Sequence, residues 1–184
     1  MDIFSHGLWT NVVYLKTRRR DRWWAIAFAL LPDLIPFGPF FFEELAVHGI
    51  HDGPPTFAPR ALAWITATYP LTHSLVIFAI ALFLASVVRG FLYARPQRPT
   101  SLHPYWPMLA WGLHVLTDIP THRQTFFPTP FLWPFSDVTV DAISWADPRF
   151  LIPNLLALAI VYTTLGIHRW RTRQREQLEV PKAT

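Results

Sequence analysis

LTHSLVIFAIALFLASVV, residues 71–88, is a run of eighteen positions without a charged side chain. At about 1.5 Å of rise per residue, a helix of that length reaches about 27 Å, close to the roughly 30 Å of hydrocarbon in a bilayer. Arg89 follows at once, and a basic stretch continues to Arg98. The run therefore predicts a membrane span ending in a basic loop. Near its start stand His73 and Ser74, polar groups that lipid contact alone does not call for.

Working outward, Phe150–Ile167 is a second uncharged run of eighteen residues, closed by HRWRTRQR. Trp23–Phe42 holds twenty positions with one charge, Asp33. Its length predicts a span, while Pro32, Pro36, Gly38 and Pro39 predict a helix broken near Asp33. Tyr105–Ile119 is a shorter apolar helix carrying His114 and Asp118, with Pro120 bending or ending it. Ile3–Leu15 reads as a short helix, capped by Ser5 and carrying His6, too short to cross a membrane. Ala61–Thr68 is expected as a short helix or interfacial turn. Glu43 to Arg60, with Glu44, His48, His51 and Asp52, reads as a polar loop, and Pro120–Asp147 as an ordered, irregular, aromatic-rich lid.

The expected fold is all-α: a polytopic membrane helical bundle of about four membrane-inserted helices plus a short N-terminal helix, some of them broken by proline. A single domain is expected over residues 1–175, followed by a disordered polar tail at 176–184.

Composition agrees. The chain of 184 residues is 52% hydrophobic and 15% charged, against about 25% charged in ordinary soluble domains. Nine Trp, fifteen Phe and eighteen Pro suit interfacial belts and broken helices. The net charge is +4, but the basic residues gather in Lys16–Arg22, Arg89–Arg98 and Arg169–Arg175. That is a topology pattern; no nucleic-acid partner is expected. The absence of Cys excludes disulfides and thiolate metal sites. No cleavable signal peptide is expected, since the first basic run follows the first apolar stretch.

Placing the three basic clusters and the C-terminus in the cytoplasm sends Trp23–Phe42 outward, Leu71–Val88 inward, Tyr105–Ile119 outward and Phe150–Ile167 inward. His6, Asp33, His73, His114 and Asp118 then lie roughly 15–25 Å above the basic side, toward the outer half of the membrane. His168 falls at the basic end as an interfacial residue. Ionisable groups at membrane depth are costly and mark function. His114 and Asp118, four apart, share one helix face. Three imidazoles and two carboxylates suit a divalent metal: Zn first, with Mn or Fe as alternatives. The set can hold one ion with an open position, or two ions sharing a carboxylate.

Five short pieces occur in order: SHG at 5–7, LPD at 31–33, THS at 72–74, GLHVLTD at 112–118 and PFS at 134–136. Together they resemble the bacterial YdjM-like family of LexA-binding, inner-membrane-associated metal-dependent hydrolases, over roughly residues 5–136. The ordered His, Asp, His, HxxxD set is also similar to the zinc ligands of the zinc-dependent phospholipase C and P1 nuclease group. That likeness implies His6, Asp33, His73, His114 and Asp118 as ligands. The chain departs from the YdjM-like pattern at TYPL before THS and at IPTHRQ after HVLTD. A LexA partner has no support in these residues.

The expected activity is hydrolysis of a lipid-linked or amphipathic substrate, a phosphoester among the candidates, in the bacterial inner membrane with membrane lipid as surroundings. Asp33 or Asp118 would serve as general base. His122, Arg123 and Ser136 are the candidate substrate contacts. The competing readings are an intramembrane metal-ion or proton transporter, and a structural or partner-binding membrane protein whose polar cluster only ties helices together.

Overall fold

The computed structural model describes residues 1–48, 57–92 and 104–179. Those residues are helical with irregular connections and include no strand. The helices are α1 (Ile3–Val13), α2 (Arg19–His48), α3 (Pro59–Thr72), α4 (Leu75–Leu92), α5 (Leu109–Asp118) and α6 (Pro148–Glu179), with 3₁₀ turns at Trp106–Met108 and Ile119–Thr121 flanking α5. The chain divides into two compact units, Met1–Trp145 and Ala146–Thr184.

Within the first unit, contacts fix the directions. Glu43 meets Arg60, Phe37 meets Tyr69 and Asp33 meets His73, so α3 runs antiparallel to α2. Arg89 covers Tyr105, Phe78 packs on Trp111 and His73 meets His114, so α4 runs antiparallel to the α5 segment. α3 and α4 are separated only at His73–Ser74, where Ser74 Oγ accepts from the N–H groups of Val76 and Ile77 and caps α4. The interior is built on small residues. Ala25, Ala29 and Ala110 are fully buried beside Tyr14, which lets α1, α2 and α5 approach closely.

Several expectations change. α2 passes through Pro32, Pro36 and Pro39 without interruption, and it continues to His48 where a loop from Glu43 was expected. Proline withholds an N–H from the carbonyl four residues earlier, so a neighbour has to supply one. For Pro39 that carbonyl is Ile35 O, and Trp64 Nε1 of α3 donates to it at 3.0 Å. Pro32 and Pro36 are themselves fully buried. Pro120 does end a helix, as expected: α5 gives way to a 3₁₀ turn after Asp118. α5 has only ten residues, about 15 Å, too short to span. Among the described residues three helices, not four, are long and apolar enough to cross a membrane: α2, α4 and α6. α3 is a full helix of fourteen residues. Asp2, not Ser5, caps α1, its Oδ1 accepting from Ser5 N. His51 and Asp52 lie outside the described residues, as does most of the basic loop to Arg98.

The second unit is dominated by α6, whose first turn is capped by Asp147 Oδ1, an acceptor for Arg149 N at 2.9 Å. The helix runs through Glu179. Residues 176–179, assigned above to a disordered tail, are thus helical, because the apolar helix simply continues into its basic end.

Candidate metal centre

Four side chains from two helices and one helix break converge inside the first unit. Asp33 comes from the middle of α2, His73 from the break between α3 and α4, and His114 and Asp118 from one face of α5. Their ligand atoms all lie within 4.8 Å of one another. His73 Nε2 is 3.3 Å from Asp33 Oδ1 and 3.5 Å from Asp118 Oδ2. His114 Nε2 is 3.7 Å from Asp33 Oδ1 and 3.0 Å from Asp118 Oδ2. The two Nε2 atoms are 3.2 Å apart. Tetrahedral bonds of about 2.0–2.1 Å place neighbouring ligand atoms about 3.3 Å apart. The five separations that involve a histidine scatter around that value.

The other ring nitrogens decide which atom faces inward. His114 Nδ1 lies 2.7 Å from Ala29 O, which only accepts, so Nδ1 carries the proton. His73 Nδ1 lies 2.9 Å from Thr72 Oγ1. That hydroxyl donates to Tyr69 O, so it accepts from Nδ1. In its neutral form each imidazole turns an Nε2 lone pair toward the centre, where it meets the other lone pair and two carboxylates. Such a gathering of acceptors is costly without a cation. Asp118 Oδ2 is buried and has no hydrogen-bond donor. Metal-bound histidines carry this outer anchoring of the distal nitrogen, and the donor set of two nitrogens and two carboxylates suits a divalent cation.

His6, the fifth expected ligand, is buried against the same site. Its ring stacks on His114 with centroids 3.7 Å apart, and its Nε2 is 3.0 Å from Asp118 Oδ1. It thus faces the opposite oxygen of Asp118 from the four-residue group. The Met1 ammonium donates to that same Oδ1 and to Thr121 Oγ1.

Of the candidate substrate contacts, His122 lies against these four, its Nδ1 3.8 Å from Asp118 Oδ1. His122 is buried, and its Nδ1–H donates to Asp118 O at 3.1 Å. Burial pushes its imidazole below the ordinary value, so it is held neutral. Arg123 is exposed. Ser136 is half-buried, and its Oγ accepts from Val138 N within a local turn.

Sequence reasoning missed the outer contacts. Thr72, directly before His73, fixes the tautomer of that imidazole. Tyr69 stacks on His73 with centroids 3.9 Å apart and an interplanar angle of 20°. Its position four residues before His73 on one helix was the available signal.

No family model, curated protein or solved structure matches this chain.

Proposed function

We propose that the chain is a membrane-embedded, metal-dependent hydrolase acting on a lipid-linked or amphipathic substrate. The observation that carries the reading is the buried convergence of two Nε2 lone pairs and two carboxylate oxygens at tetrahedral spacing. The resemblance to the YdjM-like family, carried by the motifs that hold these four residues, supports the hydrolytic assignment.

His73, His114, Asp33 and Asp118 would hold the ion, with Zn the first choice. A bound divalent metal lowers the pKa of water and polarises a phosphoryl or carbonyl oxygen. The protein's own part divides between the two carboxylates. Asp118 is enclosed, its side chain 0% exposed and shared among His114, His6 and Met1. Asp33 is 16% exposed, whereas both histidines are 0%. Asp33 stands at the open edge of the centre. It is the carboxylate able to accept a proton from an entering water, which makes it the better general base of the two. His6, on the far oxygen of Asp118, is the residue through which a second ion would share that carboxylate.

Membrane placement supports the substrate class. On α2, Asp33 is eleven residues beyond Arg22 and ten before Glu43. The centre thus falls near the middle of a stretch about 31 Å long, within the roughly 15–25 Å above the basic side expected from sequence. A scissile bond reaching it would belong to a molecule at home in lipid. With the basic clusters cytoplasmic, α2 runs outward in the bacterial inner membrane.

The test is metal analysis of protein purified without chelators. The wild type is expected to hold a divalent ion, and His114→Ala and Asp118→Ala to lose it. Unchanged metal content in both variants would sink the site. A proton shared between the two Nε2 atoms would instead favour the transporter reading. Proton flux in proteoliposomes, abolished by His114→Ala, would then replace hydrolysis. The fully buried Ala25, Ala29 and Ala110 on the basic side of the cluster offer no polar continuation for such a path.

A further inference from the structure

TYPL, residues 68–71, is where this chain leaves the YdjM-like pattern, and its tyrosine lies against the candidate metal centre. Tyr69 is 4% exposed. Its ring lies face to face with His73 at 3.9 Å. Its hydroxyl donates to Phe127 O at 2.8 Å. Phe127 is the one non-glycine described residue with positive φ, 43°. A phenylalanine in that region costs about 1–2 kcal/mol and persists where its surroundings hold it.

His73 occupies a break in the helical backbone, where a side chain has few neighbours from its own helix to set its direction. The segment around Phe127 closes over that break at three points. Tyr69 donates to Phe127 O; Leu75 N donates to Phe131 O at 2.9 Å; and Ser74 Oγ donates to Trp133 O. The bonded residues 69, 74 and 75 bracket His73. The tether to Thr72 fixes the tautomer of the imidazole but leaves its plane free to tilt about that contact. A stacked ring removes that freedom.

We propose that Tyr69 is the positioning residue of His73: its ring sets the plane in which Nε2 meets the ion, and its hydroxyl couples that plane to the segment Phe126–Trp133. The proposal rests on the metal-centre reading above. The ring supplies the larger part, because it touches the imidazole directly. The hydroxyl acts through Phe127.

The experiment uses the full chain in detergent, stripped of metal and titrated with Co(II). The visible d–d band reports ligand geometry. Wild type is expected to show the band with one ion per chain. Tyr69→Leu shifts the band and raises Kd by ~10–100-fold, the usual cost of losing an outer contact to a metal-bound histidine. Tyr69→Phe keeps the ring and the band position, with a Kd rise of only a few fold. Phe37→Leu removes a neighbouring ring of the same aromatic cluster that does not stack on His73; it leaves the band in place. Equal band shifts in Phe37→Leu and Tyr69→Leu would reduce Tyr69 to general packing and overturn the proposal. So would a wild-type band and Kd in Tyr69→Leu.

A metal-free measurement separates this proposal from the reading beneath it. In histidine-labelled apo protein, the ring protons of His73 should be shifted upfield by the stacked tyrosine, and Tyr69→Leu should abolish the shift. An intact shift in a protein that takes no cobalt would remove the metal assignment and leave the positioning contact standing. No shift in the wild type would remove the contact itself.

Discussion

His73 and His114 each offer one nitrogen to the centre because the other is already taken. The two anchors differ in kind. His114 donates to a main-chain carbonyl, Ala29 O, which no substitution deletes. His73 relies on the Thr72 hydroxyl. Thr72→Val keeps the shape of the side chain and removes that acceptor, leaving a buried Nδ1–H unsatisfied at a cost of about 1–3 kcal/mol. It also frees the imidazole to adopt the other tautomer. The expected result is metal affinity lower by ~10–100-fold with the helical far-UV spectrum unchanged. Thr66→Val, which removes an exposed hydroxyl bonded within α3, should leave affinity as it is. Loss in both, or in neither, would contradict the role given to Thr72. At this scale the four side chains that converge were legible. His114 and Asp118 share a helix face by spacing alone, and Asp33 and His73 stood out as polar groups in apolar runs. Tyr69, four residues before His73, carried only a weak signal, because an aromatic residue in a helix has many ordinary uses and the packing alone shows which ring it lies on.

The elements show where local rules were overridden. Three prolines in α2 argue for a break, yet the helix continues, because the carbonyl freed by Pro39 finds the indole N–H of Trp64. Sequence records the missing donor but not the neighbour that replaces it. Trp64→Phe keeps the ring and removes the donor. It should destabilise the α2–α3 pair by about 1 kcal/mol, read as a lower thermal midpoint, because Ile35 O loses its partner. The opposite error occurred at α5. A run of apolar residues looked long enough to enter the membrane as a helix, but only ten residues are α-helical, and 3₁₀ turns at both ends let His114 and Asp118 meet α2 and the helix break. Gly112 permits that approach. A Cβ there would stand 2.6 Å from the Phe78 ring, which is itself packed edge-on against Trp111. Gly112→Ala should cost about 1–3 kcal/mol through overpacking. It should also weaken metal binding, since α5 would be pushed from His73. A variant as stable and as metal-competent as the wild type would show that Phe78 yields freely.

The whole molecule partitions its residues in reverse of a soluble protein. His73, His114 and Asp118 are buried, while Phe83, Leu84, Phe91 and Ile160 are largely exposed. Surfaces of that kind suit lipid better than water. The basic end carries Arg22 and the opposite end of α2 carries Glu43, paired on the surface with Arg60 at 3.0 Å. Because the chain has no cysteine, single-cysteine variants report the two ends without background. Removing an exposed pair such as Glu43–Arg60 costs about 0–1 kcal/mol, so Glu43→Cys should fold. In intact cells a membrane-impermeant maleimide should label Glu43→Cys and leave Arg22→Cys untouched until the membrane is opened. Asp33→Cys should resist the reagent in both conditions, since the side chain lies midway between those ends. Labelling of Arg22→Cys alone in intact cells would invert the orientation. Simultaneous labelling of both would mean that α2 does not cross, and a centre placed along it would face water instead of lipid. The depth of Asp33 thus ties the substrate to the topology: if both labelling outcomes hold, any molecule cleaved at this centre reaches it from within the bilayer.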